Sequence, residues 1–318
     1  MKTKLASYAL VLLIAVTLNF LLPRLMPGTP LRFLVGEDVA LLPPESVREL
    51  LAQHGLDRPL WEQYLRYLRD LVRGDLGYSY RENKPVLSVL VERLPWTLLL
   101  TGTALMFSTV LGVLVGALAA WRHGSAFDVG ALSLFVLLDS MPSFWLGMIL
   151  IALFAVKLGW FPIFGAQTPW ASFTGWQYVW DVLKHLALPV ITLTMTTVSG
   201  TFLVMRSAMI GVLDEDYVRT ARSKGASELR VLYYHALRNG LLPVATVFMI
   251  NLGFVVSGAT VVETVFSYPG LGRLLYEAVL QRDYPLMQGA FLLITVSVLF
   301  TNCLADLLYT RIDPRVRL

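Results

Sequence analysis

Between two apolar stretches lies the polar run Asp214-Glu215-Asp216-Tyr217-Val218-Arg219-Thr220-Ala221-Arg222-Ser223-Lys224-Gly225-Ala226-Ser227-Glu228, which continues through Tyr233, Tyr234 and His235 to Asn239. Its order of charges fits two short helices. Asp216 suits the first turn of the first, where a carboxylate is favourable at the positive end of the helix dipole, and Arg222 and Lys224 suit its end. Gly225 can adopt the left-handed conformation that stops a helix. Ser227 is placed to cap the second helix, in which Leu229, Leu232, Tyr233 and Leu237 follow a helical period. A charged hairpin continuous with apolar helices on both sides could receive a push from a soluble partner and pass it on. It could equally be a solvated loop between helices. Either way, its chemistry is mechanical or structural and not catalytic.

The second notable group is polar residues inside apolar runs. Asp139 interrupts the stretch from Val129 to Val156. A carboxylate near a membrane helix centre costs about 2.5 to 3.5 kcal/mol, so it should face protein or water. Asp139 therefore either lines a path, where it could meet a substrate amine, or pairs with a polar group on a neighbouring helix. Asn251, Asn302 and Asp306 carry the same choice, with interhelical hydrogen bonding favoured. Glu263 falls near the end of another apolar run and could shape a gate or simply sit at an interface. His123 and His185 read as solvated. No Gly-x-x-x-x-Gly-Lys-Ser/Thr phosphate loop, His-Glu-x-x-His pair or Gly-x-Ser-x-Gly elbow occurs, so no nucleotide or hydrolytic site is recognisable.

The elements that must position these residues are membrane helices. The chain has 318 residues, 56% hydrophobic and only 15% charged, with a mean hydropathy of +0.63; a soluble domain carries roughly 25% charge. Apolar runs near the 20 residues that a bilayer core of about 30 Å requires are Leu5 to Pro23, Pro95 to Ala120, Leu186 to Met205, Leu241 to Val262 and Tyr284 to Ala305. Val129 to Val156 makes a sixth. The first is read as a span and not as a cleaved leader, because no small-x-small site follows it. The net charge of +4 and the single cysteine, Cys303, point to loop bias and not to nucleic acid, a disulfide or a cysteine metal site.

Lysines and arginines orient the spans. With the N-terminus inside, twelve fall on the inner side: Lys2, Lys4, Arg122, six from Arg206 to Arg238, and Arg311, Arg315 and Arg317. The short outer loops hold four, Lys157, Lys184, Arg273 and Arg282. Both termini are therefore expected inside. In the long outer loop, Trp61, Tyr64, Leu65, Leu68, Leu71 and Val72 recur at helical spacing between Pro59 and Gly74, and Glu45 to Gln53 suggests a shorter helix before them. This pair is either a folded cap or a docking surface for an external partner. No internal repeat is evident.

Arg219-Thr220-Ala221, followed after three residues by Gly225, resembles the cytoplasmic coupling motif of permeases of ATP-binding-cassette importers, in its dipeptide and oligopeptide form. The general pattern has Glu and Ala where Arg219 and Thr220 stand, and Leu-Pro where Leu237 and Arg238 stand; the peptide branch departs in this way. Further pieces are similar, in order, to the "B" permease of peptide or nickel importers. They are Met26-Pro27-Gly28-Thr29-Pro30, Gly55-Leu56-Asp57-Arg58-Pro59, Gly74-Asp75-Leu76-Gly77, Ser140-Met141-Pro142-Ser143-Phe144-Trp145-Leu146-Gly147 and Leu158-Gly159-Trp160-Phe161-Pro162. Later come Val261-Val262-Glu263-Thr264-Val265-Phe266, Tyr268-Pro269-Gly270-Leu271-Gly272, Arg282-Asp283-Tyr284-Pro285 and Asp313-Pro314-Arg315.

The resemblance implies an all-α integral membrane fold of about six transmembrane helices in the type I importer architecture. Residues 1–26 would be the first helix, 27–94 the helical external loop, and 95–318 the core of five helices including the coupling segment 213–240. It implies a binding-protein-dependent importer for di- or oligopeptides, with nickel chelates or oligosaccharides as alternatives and a secondary transporter as a remoter one. The expected partners are a second homologous permease, one or two cytoplasmic ATP-binding subunits that bind ATP and Mg, an external solute-binding protein and the lipid bilayer. The expected location is a bacterial or archaeal inner membrane. Contact with the ATPase is expected from Asp216, Tyr217, Arg219, Thr220, Ala221, Arg222, Lys224, Gly225, Ser227 and Glu228. The path is expected near Asp139, Asn251 and Glu263.

Overall fold

The computed structural model describes residues 2–25, 43–53, 57–79 and 81–312. The motifs at Met26 to Pro30 and Asp313 to Arg315, the pair Gly55-Leu56 and the last residues at both termini lie outside them. The helices are α1 (Lys2–Leu25), α2 (Pro44–Gln53), α3 (Leu60–Val72), α4 (Val86–Trp121), α5 (Ala126–Ser140), α6 (Ser143–Leu150), α7 (Trp176–Leu213), α8 (Asp216–Ser223), α9 (Glu228–Arg230), α10 (Arg238–Phe254), α11 (Thr260–Val265), α12 (Leu271–Gln281) and α13 (Tyr284–Ile312). Two-residue strands β1 (Tyr78–Ser79) and β2 (Lys84–Pro85) pair antiparallel, Tyr78 opposite Pro85. Among the described residues four helical stretches are long and apolar enough to cross a membrane: Val86–Trp121, Trp176–Leu213, Glu228–Ser257 and Tyr284–Leu304. The bent pair Ala126–Ser140 with Ser143–Lys157 makes a fifth if counted as one span, and Ala6–Leu21 is a shorter apolar stretch.

The apolar runs locate these helices but misjudge their ends. Helix α4 begins at Val86 and carries Pro95 inside it, where Pro95 had been expected to open the span. Glu92 and Arg93 belong to the helix, and a charge-free criterion cuts them off. Helix α7 has 38 residues, roughly 57 Å at 1.5 Å each, so it outreaches the apolar core. The expected span from Val129 to Val156 is bent by 100° between Ser140 and Ser143. Met141 is extended, with ψ 128°, as the residue before a proline prefers, and Pro142 starts a new helix. The run from Leu241 to Val262 is also broken. Helix α10 ends at Phe254, a 3-10 turn covers Val255–Ser257, and Gly258 at φ 76° and ψ 173° reverses the chain into α11.

The chain forms two compact units, residues 1–95 with 270–318, and residues 96–269. In the first, α1 and α13 are joined by reciprocal amide bonds: Asn19 Nδ2 donates to Gln288 O at 2.8 Å and Gln288 Nε2 to Asn19 O at 2.9 Å. Tyr8 donates to Asp306 at 2.7 Å, the interhelical bond expected of that acid; Asn302 makes no such bond with the described residues. Helix α3 packs on α1 through Tyr64 and Tyr67, whose rings lie 5.1 and 5.5 Å from that of Phe20. Trp61, Leu65 and Val72 stay exposed. Ser79 donates to the buried Asp283, whose other oxygen caps α13 at Leu286 N, 3.2 Å away.

In the second unit, Gly112 and Gly116 let α4 approach α7 closely. A Cβ at Gly116 would stand 2.8 Å from Phe202 O, closer than any side chain tolerates, so this small-xxx-small stripe sets the helix contact. Phe135 and Phe202, 4.6 Å between rings, bind α5 to α7. Leu100, Leu146, Leu188, Phe266 and Tyr268 fill a core among α4, α6, α7 and α11. His185, expected to be solvated, is buried; its Nδ1 is 2.8 Å from Asp181 O, one turn back along α7.

Candidate functional site

The hairpin after α7 is built as its charges require. Helix α8 starts with Asp216 in its first turn and ends with Arg222 in its last. Gly225 takes φ +80°, and Gly225 N and Ala226 N donate to Arg222 O and Ala221 O at 2.9 and 3.2 Å, a left-handed stop that satisfies carbonyls the helix leaves bare. A Cβ at Gly225 would meet nothing within 4 Å. Val218, Ala221 and Val231 are buried together, against Trp121, Val212, Leu213 and Ala226. The hairpin is thus held to the helix pair behind it by an apolar seam.

Polar contacts fix its orientation. Arg222 lies over the Trp121 ring at 5.6 Å and reaches Glu228 at 3.4 Å, so one guanidinium links α4, α8 and α9. Asn239 Nδ2 donates to Tyr217 Oη at 2.7 Å, tying α8 to the start of α10. Thr220 Oγ1 donates to Asp216 O at 2.8 Å, inside its own helix. Asp216, Arg219, Lys224 and Ser227 project outward. Trp121 and Asn239 were not among the expected site residues. Trp121 stands 101 positions before Arg222 in the chain, and only its place at the end of an apolar run hinted at it.

Two expectations about the second helix fail. Ser227 occupies the cap position, but its side chain makes no capping bond. Leu229 and Tyr233 are 69% and 64% exposed, while Val231 and Ala236 are fully buried. Leu232 and Leu237 pack inward as expected; for Tyr233 the reason is that Val231–Leu237 is π-helical. In that geometry residues five apart share a face, so the register rotates and places Tyr233 and Tyr234 outside. The hairpin presents Leu229, Tyr233 and Tyr234 beside its charges.

Behind the hairpin, Asp128 is held by Arg206 at 2.6 and 2.8 Å, by Gly124 N and by His123 Nδ1, each at 3.0 Å. His123, expected to be solvated, keeps an exposed ring but has this partner.

Asp139 and Asn251 line one cavity of about 440 Å³, together with Thr101, Ser108, Thr197 and Ser257. Neither takes a hydrogen bond from the described residues, so the expected pairing with a neighbouring helix is absent here for both. Glu263 is not on that cavity. It is fully buried and accepts from Thr97 Oγ1 at 3.0 Å and Ala259 N at 3.4 Å, which makes it a brace for α11 and not an interfacial residue. Among the described residues no group of three or more His, Cys, Asp or Glu side chains could hold a metal ion.

Comparison with known proteins places this arrangement among its relatives. Residues 112–318 match the family described as binding-protein-dependent transport system inner membrane component, and residues 1–101 match the N-terminal family that accompanies it. The di/tripeptide transport system permease protein DppB of Pseudomonas aeruginosa is 40% identical over 314 residues, covering 94% of this chain and 93% of its own. The dipeptide transport system permease protein DppB of Escherichia coli K12 is 40% identical over 317 residues with the same coverage. Among solved structures, an inward-facing MetNI methionine ABC transporter has a TM-score of 0.56 at 18% identity, over 71% of this chain and 97% of that one. That likeness is one of fold.

Proposed function

The chain belongs to the family of binding-protein-dependent transport system inner membrane components, and on that premise we propose that it is one of two permease subunits of an ATP-driven importer of di- and oligopeptides. It is a multi-pass inner membrane protein with the type I ABC importer permease fold. Its own role is to form half of the translocation path and to couple it to ATPases carried by other chains. The observation that carries the substrate class is the 40% identity to two dipeptide-type permeases across 94% of the chain.

The hairpin from Asp214 to Asn239 is the coupling element. ATP binding closes the ATPase pair, which pushes on α8; Trp121, Arg222 and Tyr217 pass the displacement to α4 and α10. The cavity then turns outward to receive peptide from an external binding protein. Lysine and arginine counts support placing this hairpin and both termini on the cytoplasmic side. ATP and Mg sit in the partner chains, since this one carries no phosphate loop.

The test is Gly225→Trp in the complete complex. A Cβ there meets nothing within 4 Å, so the substitution is aimed at what docks on the hairpin, with a local strain of about 1 to 2 kcal/mol for a left-handed non-glycine residue. Membrane insertion and complex recovery from cells are expected to persist while ATP-driven peptide uptake is lost. Uptake at the unaltered rate would refute the coupling role.

A further inference from the structure

The cavity that holds Asp139 is lined by polar and apolar side chains together. Among the described residues Asp139 is the only charged one in its lining, it is exposed, and its carboxylate takes no hydrogen bond from them. It also sits in the last turn of α5, which contains no basic residue. A carboxylate at the negative end of a helix dipole is unfavourable unless a cation is nearby. Helix α10 ends on the same cavity, at Phe254 and Val255. The last turns of α5 and α10 therefore both border the cavity, together with Ala259 at the start of the short α11, and no basic side chain among the described residues is in the lining.

The hydroxyls of the lining add to the same field. Thr197 Oγ1 donates to Leu193 O at 2.8 Å, Ser257 Oγ to Phe254 O at 2.6 Å and Ser108 Oγ to Leu105 O at 3.1 Å. Thr101 Oγ1 lies 2.6 and 2.8 Å from Thr97 O and Val255 O. These four hydroxyls donate to backbone carbonyls, so what remains to each is acceptor capacity. The lining offers acceptors and one negative charge, with the Asn251 amide and the Thr201 hydroxyl as its side-chain donors.

We propose that this cavity is a way-station for a primary ammonium group, and that Asp139 holds the amino end of a peptide in transit. An ammonium has three donors, no acceptor and one positive charge, which is the complement of what the lining presents. A free carboxylate would be repelled. The proposal rests on the reading of the chain as a peptide importer permease and adds to it a specificity-determining residue.

The test uses proteoliposomes holding the complete complex, ATP enclosed with the ATPases, and dialanine supplied with the binding protein. Transport is normalised to assembled complex. Asp139→Asn should slow dialanine uptake roughly tenfold, the scale of a charge-assisted hydrogen bond, and Asp139→Glu should recover most of it. Asp139→Asn at the unaltered rate overturns the proposal, as does equal loss in both variants, which would mark a packing role. Failure of the unaltered complex to import dialanine with ATP would instead sink the peptide-importer reading, and this inference with it. A second measurement is independent of import. In a Cys303→Ser background that keeps Asp139, Thr197→Cys on the same cavity should react faster with a cationic than with an anionic methanethiosulfonate, each relative to its rate with free thiol; dialanine should slow the reaction, and adding Asp139→Asn should remove the preference. The reverse order of charge overturns the proposal.

Discussion

Asp128 and Arg206 lie 78 positions apart in sequence and meet with Asp128 Oδ1 2.6 Å from Arg206 Nε. The carboxylate side chain is 2% exposed and the guanidinium 17%. Removing one member of such a pair leaves the other buried without its charge partner, at a cost of about 3 to 5 kcal/mol. Arg206→Ala is therefore expected to lower the unfolding temperature of the purified protein well below that of Arg219→Ala, whose guanidinium is 67% exposed. Equal unfolding temperatures would contradict this. At this scale the sequence is half legible. Ser125-x-x-Asp128 is a capping signature, and Ser125 Oγ accepts from Asp128 N at 3.3 Å, but nothing local points from Asp128 to Arg206. Likewise Gly225 declared its left-handed turn, whereas Arg222 stacking on Trp121 depends on a helix that ends 101 positions earlier.

At the scale of elements, close approach of α4 to α7 depends on Gly112 and Gly116. A side chain at Gly116 meets backbone, Phe202 O at 2.8 Å and Arg206 N at 3.2 Å, which cannot move aside as a flexible side chain would. Gly116→Val should force the helices apart at a cost of about 1 to 3 kcal/mol, read as a lower unfolding temperature; Gly130→Val, where nothing lies within 4 Å, should leave it nearly unchanged. Gly258 makes a separate case. Its φ 76° and ψ 173° fall in a region essentially restricted to glycine, so Gly258→Ala should cost about 1 to 3 kcal/mol and disturb the Glu263 brace. A variant as stable as the parent would contradict that. Apolar runs locate the spans because a bilayer demands length and hydropathy. They miss the breaks at Met141-Pro142 and Gly258 and the π segment at Val231–Leu237, because composition does not encode where a helix bends within one apolar stretch.

At the scale of the molecule, the seam of Val218, Ala221 and Val231 against Trp121 makes the hairpin an extension of the helices behind it and not a free loop. Its exposed face, with Leu229, Tyr233 and Tyr234 among charges, is suited to a protein partner. The family was legible from short motifs because several of them do structural work: Arg282 is left-handed at φ 56° and Asp283 caps α13, while Glu263 braces α11. The most direct test of the account introduces Glu228→Cys in a Cys303→Ser background and reacts it within the assembled complex with a short thiol-to-amine crosslinker. Crosslinks to an ATP-binding subunit, with loss of ATP-driven peptide uptake, are the expected result. Labelling of that cysteine only from the external face of sealed cells, or peptide uptake by this chain with every ATPase removed, would contradict it.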